Sequence, residues 1–131
     1  MPPKVISILL CDSAHAQGGK VTLYGVFDRI FATRFPALHQ ACSIVTEIEG
    51  DPDTDATVRL RYVDSDESDV FPPVTMNAKM SAFGACRMIA NVQGLPLTRE
   101  GFFAVIVESE GQEIGRRNLY VEQVREGGPH V

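Results

Sequence analysis

The sequence predicts an all-β chain: a single antiparallel β-sandwich of seven or eight short strands, with a small β-barrel as the alternative. Three observations predict it. Apolar residues recur at every second position through most of the chain, the period of a strand with one buried face. Turn-forming clusters (AQGGK, EGDPDTD, DSDES, FPP, QGLP and SEGQE) punctuate these runs at intervals of about 8–15 residues. Helical periodicity never persists beyond about two turns.

Taken in order, the first strand is the apolar run from Val5 to Cys11, opened by Pro2, Pro3 and Lys4. Gly18 and Gly19 then supply the positive φ of a tight connection, and Lys20 opens the next strand. The segment RIFATRFPALHQ has room for one short helical turn, interrupted by Pro36. ACSIVTEIE places Cys42, Ile44, Thr46 and Ile48 on one face. ATVRLRYV sets Val58, Leu60 and Tyr62 against Thr57, Arg59 and Arg61, the mark of a half-buried antiparallel strand. GACRMIANV alternates through Cys86, Met88, Ala90 and Val92. GFFAVIVES is different, because Phe103, Val105 and Val107 oppose an equally apolar Phe102, Ala104 and Ile106. Such a strand needs cover on both faces, from a loop such as RIFATRFPALHQ or from a second copy of the chain. Arg116 and Arg117 fall on the last hairpin strand, one to each face, so they form no clamp. No repeat or linker divides the chain, so residues 1–131 read as one domain with 1–3 and 126–131 frayed.

Composition narrows the function classes. A chain of 131 residues can bury a core without staples, and 44% hydrophobic with 22% charged residues is ordinary for a globular domain. With 12 Lys+Arg against 17 Asp+Glu the net charge is −5, which argues against a nucleic-acid partner. No apolar run approaches the roughly 18–20 residues that span a membrane. VISILLCDSAHA imitates an export signal, but the run is short and Leu10 stands where a lipoprotein signal wants a small residue. A buried first strand and a cytoplasmic location are therefore expected, an exported binding module being the lesser alternative. The three cysteines, Cys11, Cys42 and Cys86, lie far apart with no C-x-x-C, so they are expected to be buried, reduced and unbridged.

Several stretches invite a chemical reading. Gly19-Lys20 lacks the upstream Gly and the following Ser/Thr of a phosphate loop, and a strand follows it rather than a helix. Cys11, Asp12 and His15, with His39 in reserve, could form a thiol- or metal-dependent site; yet an adjacent carboxylate raises a thiol pKa, and zinc needs three or four converging ligands. Asp51, Asp53 and Asp55, and again Asp64, Asp66 and Asp69, are oxygen-rich but lack the Gly and Glu spacing of a calcium loop. At ~3.3 Å per residue the intervening strand holds these loops roughly 25 Å apart, so they cannot share an ion. No cofactor, metal or catalytic residue is expected. The best recognition surface is Arg29, Phe31, Arg34 and Phe35, joined by Phe102 and Ile106.

CDSA, GGKVTLYGVFDRIFATRFPALH and the late LTREGFFAVIVESEGQEI resemble an uncharacterised bacterial family of short β-rich proteins, a domain of unknown function. The likeness is carried by Cys11, Asp12, Gly19, Lys20, Gly25, Val26, Phe27, Asp28, Phe35 and Pro36. It implies a sandwich-like domain and supplies no activity. EGFFAVIVESEGQE also looks like the closing hairpin of immunoglobulin-like modules, although the chain has no Trp for the core of a true antibody domain. The reading reached is a cytoplasmic, non-enzymatic, immunoglobulin-like β-sandwich that binds a protein partner or forms a homodimer. The alternative is a small metal- or thiol-dependent enzyme using Cys11, Asp12 and His15.

Overall fold

Two sheets face each other in the computed structural model, which describes residues 2–125. The strands are β1 (Lys4–Gln17), β2 (Lys20–Phe27), β3 (Arg29–Ala32), β4 (Ala37–Glu49), β5 (Asp55–Val63), β6 (Val74–Lys79), β7 (Ala85–Leu97), β8 (Gly101–Ser109) and β9 (Gln112–Gln123). A four-stranded sheet runs β2-β1-β4-β7 and a five-stranded sheet runs β3-β9-β8-β5-β6. No helix is present among the described residues, and none is long and apolar enough to cross a membrane. Of the residues expected to fray, Pro2 and Pro3 precede β1 without joining a strand, while 126–131 lie outside the described residues.

The core lies between the sheets and follows the alternation. Val58, Leu60 and Tyr62 of β5 face Ile44 and Ile48 of β4, with Phe103, Val105 and Val107 of β8 alongside, all buried. Each such side chain contributes about 1.5–3 kcal/mol when fully withdrawn from water. Cys86, Met88, Ala90 and Val92 of β7 pack against the same core from the edge and stay half-buried.

Two features depart from the expected plan. The segment from Arg29 to His39 holds no helical turn: Ile30 and Ala32 point inward and Arg29 and Phe31 outward, so it pairs as β3. That pairing is parallel, Arg29 with Tyr120 through Ala32 with Gln123, which makes nine strands among the described residues rather than seven or eight, and one ladder that is not antiparallel. Its first bond is donated by the Tyr120 N–H to the Asp28 carbonyl at 3.0 Å.

The second feature is an arm. β1 pairs with β4 as far as Cys11 and with β2 from Leu10 onward. Gln17 faces Lys20 across Gly18 and Gly19, whose φ of 60° and 76° make the tight two-residue turn of a hairpin. Gly19, Lys20, Val21 and Leu23 line one groove together with Leu9, Val45, Glu47 and Arg87, so the hairpin folds back over the outward face of the four-stranded sheet. The bend lies beside Gly25, at φ 66°, where a Cβ would collide with the Asp12 carboxylate. Only glycine lets the carboxylate lie against the β2 backbone there.

Candidate functional site

The outward face of β8 divides in two. Ile106 is 1% exposed, whereas Phe102, four residues earlier on the same face, is 57% exposed. Cross-strand neighbours account for the difference. Ile106 lies between Arg61 on β5 and Arg116 on β9, and both arginines reach over it to the loop at 64–69. Arg61 Nε donates to Asp69 Oδ1 at 2.9 Å; Arg116 binds both Glu67 oxygens, at 2.6 and 3.2 Å. Arg99 adds Asp66 and the Ser65 hydroxyl, each at 3.0 Å. Within the loop, Asp64 Oδ1 accepts the N–H groups of Asp66 and Ser68 at 2.9 and 3.1 Å. The acidic stretch thus pairs with arginines and roofs a small apolar cluster of Val63, Ala104 and Ile106. Ile106, expected on an interaction surface, is covered by its own chain, and the cover is this loop rather than RIFATRFPALHQ.

Further along the same face Phe102 stands exposed, beside half-buried Tyr120, Phe31 and Glu122. Phe102 packs edge-on against Tyr120, its register partner, with centroids 4.9 Å apart. Tyr120 is in turn the register partner of Arg29, whose guanidinium lies 5.1 Å over the Phe31 ring. Phe31 pairs with Glu122. Arg29, Phe31 and Phe102, distant in sequence, therefore meet on one outward patch with Tyr120 and Glu122. Arg34 lies in the following turn, and Phe35 turns inward onto the core, so neither joins it. Sequence reasoning passed over Tyr120 and Glu122. Their signal was the alternation of NLYVEQ, in which buried Leu119 and Val121 send both outward.

The group Cys11, Asp12 and His15 is separated by the geometry. The Cys11 thiol is buried and donates to the Ser43 carbonyl at 3.6 Å. Burial, and then the Asp12 charge, raise its pKa above the ordinary value. Cys42 is pushed up to about 12 by burial first, then by Cys11 and Asp12. A neutral thiol is a poor nucleophile. His15 sits out on the arm, edge-on to Tyr24 at 5.5 Å. Asp12 instead meets His39, with Nε2 2.9 Å from Oδ1, and the His39 ring stands edge-on to Phe27 at 5.1 Å. That pair ties the base of the arm to β4. Among the described residues no three His, Cys, Asp or Glu side chains converge as a metal site. Arg116 and Arg117 do face opposite ways, the first toward Glu67 and Glu113, the second 4.0 Å from Asp28.

No curated protein matches the chain. Among solved structures it is similar to a Pseudomonas fluorescens alkylpurine DNA glycosylase, at 10% identity and a TM-score of 0.50, over 92% of this chain and 30% of that one. A Listeria innocua β-glucosidase gives 8% identity and a TM-score of 0.51, over 95% of this chain and 16% of that one. The chain thus spans less than a third of either enzyme. An immunoglobulin-like protein from Pseudomonas aeruginosa is similar over 93% of this chain and 98% of its own, at 11% identity and a TM-score of 0.50. At these identities the likeness concerns the fold alone, an immunoglobulin-like sandwich. Residues 6–122 match a family described as one of unknown function, DUF6941, and the chain belongs to that family.

Proposed function

We propose that the chain is a non-enzymatic interaction module that forms a homodimer through the outward face of its five-stranded sheet. One observation carries this reading: exposed Phe102, half-buried Tyr120 and Phe31, and exposed Arg29 form a contiguous aromatic and guanidinium patch on the outward face. Exposed aromatic patches with arginine are the composition of interface centres. A second copy is favoured as the occupant because the patch carries both signs of charge. Arg29 on β3 and Glu122 on β9 lie two residue pairs apart along the ladder, on the same face. A two-fold axis between them sets each Arg29 opposite the partner subunit's Glu122 and stacks the aromatic rings at the centre. Free thiols at Cys11, Cys42 and Cys86 support a cytoplasmic setting. The net charge of −5 supports a protein partner over nucleic acid.

Sedimentation at low micromolar concentration tests the reading. The chain should sediment as a dimer, and Phe102→Asp should sediment as a folded monomer. Phe83→Asp, at an exposed position in the β6–β7 connection, should remain a dimer. A monomeric unsubstituted chain would overturn the proposal, as would a dimer indifferent to Phe102→Asp.

A further inference from the structure

A second feature lies on the opposite sheet and is independent of self-association. The arm of β1 and β2 folds over the four-stranded sheet without filling the space beneath it. Leu9 and Val45 of the sheet and Val21 and Leu23 of the arm line a groove of about 430 Å³ that opens to solvent beside Lys20, Glu47 and Arg87. A volume of this size falls within the range of about 300–1,000 Å³ typical of small-molecule sites.

The charges at the mouth are unequal. Glu47 accepts the Ser7 hydroxyl at 2.9 Å and the Arg87 guanidinium at 3.1 and 3.3 Å, so this acid and base neutralise each other. Lys20 lines the same groove and has no carboxylate partner among the described residues. The Gly18-Gly19 turn sets it at the tip of the arm. What remains is an open groove of mixed polar and apolar lining, with four aliphatic side chains on its walls and one uncompensated cation at its rim.

We infer that this groove is a binding site for a small amphipathic monoanion, a carboxylate carrying a compact apolar body. The apolar part lies between Leu9, Val45, Val21 and Leu23, and the carboxylate meets Lys20. The groove is preformed, because the packing of Asp12 on Gly25 and its bond to His39 set the angle of the arm. Little ordering is needed on binding, which favours affinity. This assigns a role to Gly19 and Lys20 that the phosphate-loop reading could not supply.

Titration of the full chain with octanoate, followed by backbone amide NMR, tests the site. Saturable shifts are expected at Leu9, Val21, Leu23 and Val45. Lys20→Gln, an exposed and structurally mild change, should weaken octanoate about fivefold, the upper end for a solvent-exposed ion pair. Octan-1-ol should bind the unsubstituted chain more weakly by a similar factor. Absence of saturable shifts, shifts centred on Phe102 and Tyr120, or an affinity unchanged by Lys20→Gln would each overturn the assignment.

Discussion

Tyr62 on β5 donates its phenolic O–H to the Pro96 carbonyl on β7 at 2.9 Å, a hydrogen bond that joins the two sheets. Its ring is stacked between Phe71 and Phe103 at 5.3 and 5.5 Å, and burial pushes the phenol pKa well above its ordinary value. Tyr62→Phe keeps the stack and removes only the bond. The expected loss is roughly 0.5–1.5 kcal/mol, seen as a lower urea midpoint with an unchanged slope.

Thr46 faces the core from β4, and its hydroxyl has no hydrogen-bond partner among the described residues. Thr46→Val preserves the shape and removes the unsatisfied oxygen, so it should stabilise the fold by about 1 kcal/mol or more. Thermal denaturation reads the sign directly. A fall in Tm would mean that the hydroxyl is satisfied in solution.

Gly25 carries φ 66° with the Asp12 carboxylate against its Cα. Gly25→Ala should destabilise the chain by about 1–2 kcal/mol from backbone strain alone, before the carboxylate is displaced. Because the arm pivots there, amide shifts should spread through β2 to Val21 and Leu23. Gly18→Ala, at φ 60° with open space around it, should leave the bend unchanged.

Glu47 has its pKa held below the ordinary carboxylate value, first by the Ser7 hydroxyl and then by Arg87, against a smaller opposing effect of burial. A depressed folded value means the stabilisation is complete above the unfolded pKa, about 4.3, and is lost as pH falls through the folded value. Glu47→Gln should therefore lower stability at neutral pH, and the difference from the unsubstituted chain should shrink as pH falls through the folded value, which flattens the acid limb of a stability-against-pH curve. The side chain is 39% exposed, so the effect is modest and weakens with salt.

Cys42 shows the opposite sign at the alkaline end. Its thiol stays protonated in the fold up to about 12, whereas an unfolded thiol ionises near 8.5. The contribution is present below the unfolded value and is lost as pH rises toward the folded one. Native protein at pH 8 should react with a thiol reagent fastest at Cys86, which is half-buried, and slowly at Cys11 and Cys42. Equal rates at all three would contradict the burial.

The amino-acid sequence by itself determined the class of fold, the strand faces and most of the turns. Alternation is a local property: Val58, Leu60 and Tyr62 must share a side wherever the strand sits, and Gly18-Gly19 must turn whatever surrounds it. It also showed that β8 is apolar on both faces. Tertiary structure alone decided which half of the outer face would be covered. The roof over Ile106 depends on Arg116 meeting Glu67 across 49 residues, with Arg61 and Arg99 contributed from other segments. Charge patterning along the chain does not encode that meeting. The same holds for Tyr120 beside Phe102 and for the parallel pairing of β3 with β9, both set by register between distant strands. The separation of His15 from Asp12, and the substitution of His39 as its partner, likewise follow from the fold of the arm. Periodicity is fixed over a few residues by backbone geometry, whereas cover and clustering are fixed by packing between elements remote in the chain.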